Sequence, residues 1–213
     1  MTKRCSTSVS AGGVALVALL AMPLCGNAGT IETTFEIGLE GWTAVGDGSI
    51  SWQSAGGNPG AYFQASDPAT GANTWAVAPP EYLGNWLALD GSGVLSADLT
   101  IISGGSVSEG AMFQVSGPGG SAEYVWPASA GPPHGQWATY SRTIAESEWT
   151  VTSGTWAGLL ANVTDLRIDM EHITGVETTG LDNVRLVPEP STIALIGMGA
   201  IGLLAFACYR RSK

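Results

Sequence analysis

The chain has 213 residues, with eight Lys or Arg against 18 Asp or Glu and a formal net charge of −10. Its three cysteines are Cys5, Cys25 and Cys208, so the middle of the chain offers no thiol nucleophile, thiolate zinc site or disulfide framework. The acidic balance excludes DNA and RNA as partners, because a surface of this sign repels phosphate.

The first 28 residues read as a secretory signal peptide. Lys3 and Arg4 precede the apolar run Val14 to Met22, and small residues follow around Gly26-Asn27-Ala28, with cleavage expected after Ala28. The apolar run is too short for a permanent span. Met22-Pro23-Leu24 ahead of Cys25 lacks the small residue that a lipid-modification box needs. The export translocon and signal peptidase are the partners this segment implies.

Residues 29–187 remain, 159 residues, the size of one domain. All eight tryptophans lie in this stretch, which carries three arginines against 17 acidic residues, a net of about −14. With so few cationic partners, its carboxylates favour divalent cations as counter-charges. Glycine and proline punctuate the domain at short intervals, and alternating runs lie between them. Gly56-Gly57-Asn58-Pro59-Gly60 is a tight turn, and Ala78 to Gly84 an extended-to-turn segment that caps one end of the fold. Leu95, Ala97, Leu99 and Ile101 alternate with Ser96, Asp98 and Thr100 as a half-buried strand, as do Ala111, Phe113 and Val115 with Met112 and Gln114. Ser103-Gly104-Gly105-Ser106 and Ser116-Gly117-Pro118-Gly119-Gly120 read as hairpin connections. Thr155 to Asn162 is the candidate short helix. Leu166, Ile168 and Met170 alternate with Arg167, Asp169 and Glu171, which predicts a strand with a wet face of mixed charge. The fold class expected is all-β, a single antiparallel jelly-roll or β-sandwich domain.

The tail, 188–213, has three parts in a fixed order: Pro188-Glu189-Pro190, an uncharged run of 18 residues from Thr192 to Tyr209, and Arg210-Arg211-Ser212-Lys213. As a helix the run spans roughly 27 Å, enough for a hydrocarbon core. The basic cluster should stay on the cytoplasmic side, which leaves the domain outside. A buried C-terminal helix of a soluble protein is the alternative, though such a helix usually shows a polar face. The two prolines bias the chain ahead of the run towards an extended conformation that suits a protease, or serves as a stiff linker. This order resembles the PEP-CTERM sorting signal of Gram-negative bacteria. The resemblance implies processing by an exosortase-type protease, an inner-membrane precursor, and delivery to the cell surface or extracellular matrix of a host that makes extracellular polysaccharide. Pro188, Glu189 and Pro190 are then the sorting motif and Arg210 and Arg211 the basic stop.

The order Phe35 through Gly41-Trp42, then Gly57-Asn58-Pro59-Gly60-Ala61-Tyr62, Asp67, Ala78-Pro79-Pro80-Glu81-Tyr82-Leu83-Gly84 and Gly93 to Leu99, with Trp137 and Trp149 further on, resembles the laminin B module (laminin domain IV). That module is a jelly-roll relative of carbohydrate-binding modules, so the resemblance implies an extracellular, non-catalytic domain.

Candidate site residues follow. Period two places Asp182 on the face of Val184 and Leu186, inward, where a carboxylate needs a partner. Backbone N–H groups or a calcium ion would serve. In jelly-roll binding modules resembling this chain the first and last strands often meet at a structural calcium, a resemblance that would make Glu32 or Glu36 the co-ligand of Asp182. Most tryptophans should be core. Trp75, Trp126 and Trp137 sit beside polar or Pro/Gly-rich loops and are the candidates for glycan contact. His134 and His172 lack a nucleophile elbow. Glu146 and Glu148, two apart on a strand face, do not make the flanking pair of a glycosidase. A surface-displayed polysaccharide-binding module and a matrix component without a specific ligand both remain as readings, with a glycosidase behind them.

Overall fold

The computed structural model describes residues 29–68 and 71–188. The expected signal peptide and the uncharged run 192–209 lie outside them. Among the described residues no helix is long and apolar enough to cross a membrane.

The alternating runs fold as twelve strands and one helical turn: β1 Ile31–Thr33, β2 Thr43–Val45, β3 Ser49–Gly57, β4 Gly60–Asp67, β5 Trp75–Val77, β6 Gly93–Ser103, β7 Met112–Gly117, β8 Gly120–Val125, β9 Ala138–Thr143, β10 Thr150–Gly154, α1 Trp156–Ala161, β11 Asp165–Asp169 and β12 Glu177–Pro188. They form two six-stranded sheets. The first has the order β3-β4-β12-β6-β9 with β1 also paired to β12, and the second β10-β8-β7-β11-β5-β2. Every ladder within the sheets is antiparallel. This is the expected β-sandwich. The helix falls where the sequence places it, started by the Thr155 hydroxyl accepting the Gly158 N–H at 3.1 Å.

The core lies between the sheets. Leu95, Ala97, Leu99 and Ile101 of β6 are wholly buried, as are Phe113, Leu166 and Ile168 from the opposite layer. β12 is central to the first sheet, with Leu181 opposite Phe63 of β4 on one side and Leu99 of β6 on the other. The Ala78–Gly84 segment closes one end. Its buried Tyr82 hydroxyl donates to the Val184 carbonyl at 2.8 Å and lies 3.0 Å from the Thr33 hydroxyl.

Four expectations are corrected. Ser103 to Ser106 is not a hairpin, because β6 and β7 belong to different sheets and the segment crosses between layers. Glu146–Glu148 is a 3-10 turn and not a strand, with Glu148 paired to Arg142 at 2.7 Å. Asp182 does not share a face with Val184 and Leu186. Asn183 takes a left-handed φ of 47°, a register shift falls between Asp182 and Arg185, and Asp182 pairs with Asp98 on the outer side of the sheet. Finally, the face of β11 is not uniformly wet, since Asp169 is 1% exposed.

Asp169 belongs to a group of buried titratable residues that includes Glu177 and His172. Burial pushes the Asp169 carboxyl from 3.8 up to about 8, with Glu109, Glu171 and Glu177 adding to it. Burial likewise raises Glu177 from 4.5 to about 7, opposed by the backbone N–H groups of His172 and Ile173, which donate to its Oε1 at 2.7 and 3.1 Å. His172 is driven the other way, from 6.5 to about 4, and stays neutral. An acid raised on folding stabilises fully below its unfolded pKa and loses that contribution as pH climbs through the folded one. A lowered histidine contributes fully above its unfolded pKa and loses it on acidification. Between pH 6.5 and 8, bounded by the His172 reference and the Asp169 value, the acids dominate. The melting temperature should therefore rise as pH falls across that window, and Asp169→Asn should flatten the slope. A flat or opposite wild-type profile, followed by calorimetry, would contradict this assignment.

Candidate functional site

The outward residues of the first sheet form a polar surface with two aromatic rings on it. Register sets it out. Gln53 stands opposite Tyr62 and Ser51 opposite Gln64, Gln64 opposite Gly180, Gly180 opposite Thr100, and Asp98 between Asp182 and Thr139. Trp137 lies just before β9, and its ring reaches back across the sheet over Gly180. A Cβ at Gly180 would sit 2.7 Å from Trp137 Cη2 and 3.0 Å from the Thr100 methyl. The absent side chain is what lets the indole lie against the strand. The ring meets Tyr62 edge-on, centroids 5.5 Å apart at 73°. Trp137 Nε1 donates to the Gly56 carbonyl at 3.0 Å, and the Tyr62 hydroxyl to Gln64 Oε1 at 3.0 Å. Burial raises the Tyr62 pKa, so it remains a neutral donor.

Beside the rings lies a network of carboxylates and amides. The Asp182 oxygens accept the backbone N–H groups of Asn58 (2.6 Å) and Asn183 (2.7 Å). Asp98 Oδ2 accepts the side-chain amides of Asn58 (3.0 Å) and Asn183 (2.9 Å), and the Thr139 hydroxyl donates to its other oxygen. The Asn183 amide also donates to the Asn58 carbonyl. Glu36 reaches the same β3–β4 turn, which contains a cis Asn58–Pro59 bond, and accepts the Ala61 N–H at 3.3 Å. Burial raises Asp182 from 3.8 to about 6, and the neighbouring charges of Asp98 and Glu36 add to the shift, opposed by the two N–H groups. Glu36 and Asp182 both reach this turn, whereas Glu32 is taken up by Arg185 at 2.6 Å. Among the described residues no three His, Cys, Asp or Glu side chains group as a metal site. Their three ion pairs employ Arg142, Arg167 and Arg185 with Glu148, Asp165 and Glu32.

The three candidate tryptophans are not brought together. Trp75 is on the outer face of the second sheet, opposite Val45 on β2 and Asp169 on β11. Trp126 packs against the core, edge-on to Phe113, Tyr124 and Tyr140 at 4.6–5.2 Å, with the Arg142 guanidinium over Tyr124. Trp137 alone stands on the polar face of the first sheet. Sequence reasoning missed Tyr62, Gln53 and Gln64 as its neighbours. The outward triplet Tyr62, Gln64, Ser66 alternating with Phe63, Ala65 and Asp67 was the available signal.

Residues 186–211 match the PEP-CTERM protein-sorting motif. The chain carries this sorting motif. The PEP-CTERM motif implies an exported, exosortase-processed protein, and its match begins inside β12, at Leu186. No curated protein matches the chain. Several solved structures share the fold. A family 11 carbohydrate-binding module from Clostridium thermocellum, in complex with a β-1,3-1,4-mixed-linked tetrasaccharide, is 17% identical, with a TM-score of 0.53 over 76% of this chain and 96% of that one. The CBM22-1 xylan-binding domain of Paenibacillus barcinonensis Xyn10C is 14% identical, with a TM-score of 0.50 over 76% and 95%. The L4b domain of human laminin alpha-2 is also similar, at 14% identity and a TM-score of 0.42 over 54% and 70%, which by itself carries no argument. The chain thus shares its β-sandwich fold with the two carbohydrate-binding modules.

The close approach over Gly180 generates a test. Gly180→Val should expel the Trp137 ring and break its bond to Gly56. The Trp137 indole N–H resonance should shift and exchange faster with water, while the overfilled site costs about 1–3 kcal/mol. An unchanged indole resonance would contradict the placement.

Proposed function

We propose that this PEP-CTERM protein is a non-catalytic surface or matrix protein whose sandwich binds a neutral extracellular polysaccharide on the outer face of its first sheet. The observation that carries this reading is the Trp137 ring lying over Gly180 beside Tyr62, flanked by the amides of Gln53 and Gln64. A half-exposed indole offers a sugar an apolar face, and the amides and hydroxyls around it offer hydrogen bonds to ring hydroxyls. Asp98 and Asp182 lie on the same face and the arginines are paired elsewhere, which disfavours uronate or sulfate polymers. The similar family 11 module holds a β-1,3-1,4-mixed-linked tetrasaccharide and the similar CBM22-1 domain binds xylan. Catalysis is not part of the proposal. Where the fold resembles an agarase, it corresponds to 25% of that longer chain.

Covering about 60 Å² of ring contributes roughly 1.5 kcal/mol at about 25 cal/mol per Å², or about tenfold in affinity. In affinity electrophoresis through mixed-linkage β-glucan, xylan and the host's own polymer, retardation should appear with at least one neutral glycan. Trp137→Ala and Tyr62→Ala should each weaken it about tenfold, while Trp75→Ala, on the opposite sheet, leaves it intact. Unretarded wild-type protein in every polymer would favour a matrix component without a specific ligand.

A calcium ion at Asp182 and Glu36 is a second part of the proposal. What supports it is a pair of carboxylates, a hard-cation donor type, reaching one turn, with Asp182 wholly buried and raised by that burial, Asp98 and Glu36 adding to the shift. Saturating calcium should raise the melting temperature by linkage, about 2.7 kcal/mol at a hundred times Kd, and Asp182→Asn should abolish the gain. No response to calcium or chelator would leave Asp182 as a carboxylate satisfied by N–H groups alone.

A further inference from the structure

The first proline of the sorting motif is a residue of the sandwich. Pro188 ends β12 opposite Gly93 of β6, half-buried. Only Glu189, Pro190 and Ser191 separate it from Thr192, where the uncharged run begins. The four steps from Pro188 to Thr192 reach at most about 14 Å when fully extended. The head-group layer of a bilayer is about 5–8 Å thick on each side. Once the run is inserted, this end of the sandwich is held within roughly 6–9 Å of the head groups.

The surface at that end suits such contact. Pro188 lines a groove of about 80 Å³ together with Gly29, Ile31, Leu83, Trp86 and Leu186, and no residue lining it is charged. In a domain with a net charge of about −14 by sequence the groove itself is uncharged, with the exposed Glu81 and Asp90 close to it in the chain. Leu87, in the 3-10 turn Leu87–Leu89 that contributes to the same groove, is 45% exposed. Gly29, the first residue after the expected signal-peptide cut, lies at this end too, so both membrane-directed segments leave the domain side by side.

We propose that the end of the sandwich formed by Gly29, Leu83, Leu87 and Pro188 is seated on the lipid surface while the sorting tail is attached. This rests on the reading of 192–209 as an inserted segment. The surface is small, and the tether holds it in place. Cutting at the motif removes the tether, and the acidic body then leaves the membrane.

The test uses the full chain with Cys5, Cys25 and Cys208 replaced by Ser, reconstituted into phosphatidylcholine vesicles. An environment-sensitive fluorophore is attached at Leu87→Cys or, as control, at Val176→Cys. Val176 is 69% exposed and immediately precedes β12, so it lies roughly 40 Å from Pro188 along a strand of about 3.3 Å per residue. The label at 87 should lose most of its quenching by aqueous iodide and become quenched by spin-labelled lipid, and the label at 176 should do neither. Inserting about twelve Gly and Ser residues before Thr192 adds a flexible reach of roughly 20 Å and should return the label at 87 to water. If the chain does not float with the vesicles, the inserted-tail reading fails and this proposal with it. If it floats but 87 and 176 are quenched equally by iodide, the docking proposal alone fails. Iodide protection at 87 without lipid quenching would mean that a second copy covers the groove, and would also overturn it.

Discussion

The structure depends on the pairing of its last strand at the middle of a sheet. β12 is flanked by β4 and β1 on one side and β6 on the other, and Leu181 completes a core row between Phe63 and Leu99. Without it the first sheet falls into β3-β4, β6-β9 and a lone β1, with unpaired edges where its middle should be. The chain therefore cannot close its core until the residues directly ahead of the sorting tail have emerged. Export, folding and sorting meet at one strand, because the matched motif starts at Leu186 while the strand runs to Pro188.

The same strand organises the outer face. Its register shift after Asp182 turns that carboxylate towards Asp98 and leaves Val184 and Leu186 facing the core. Asp182 then holds the Asn58 N–H of the β3–β4 turn, and the Gly56 carbonyl of that turn holds the Trp137 indole. A buried acid thus positions an aromatic ring through a loop, and Gly180 supplies the floor beneath it. Each group in the chain is a partner of the next, so the ring is held in place, which under the proposed function would limit the ordering cost of binding. The absence of an arginine from this relay keeps the surface hospitable to neutral chemistry.

Much of the architecture was legible. Period-two runs at Leu95–Ile101, Phe113–Val115 and Leu166–Ile168 are buried on the side the alternation predicts, and Thr155 starts the short α-helix Trp156–Ala161. What strict alternation could not show was the break at Asn183, because a left-handed residue inserts an extra position and reverses the faces on either side of it. Asp169 looked wet for a related reason: pattern gives the face a residue points to, and neighbouring strands decide whether water reaches it. Ser103 to Ser106 looked like a hairpin because composition marks a turn without saying which sheet the chain enters next. Of the three tryptophans chosen for their loops, Trp126 was claimed by the core through Phe113, Tyr124 and Tyr140. Trp137 was distinguished by a glycine 43 positions later in the chain (137 to 180), which only tertiary structure brings beneath it.

The most direct measurement is an NMR titration of the isotope-labelled protein with a neutral β-glucan oligosaccharide, followed through backbone amides and indole N–H groups. The account predicts that the perturbed signals map to Trp137, Tyr62, Gln64 and the Asn58 turn, on one face of the first sheet. Perturbations clustered around Trp75 on the second sheet, or none at any glycan concentration, would contradict it.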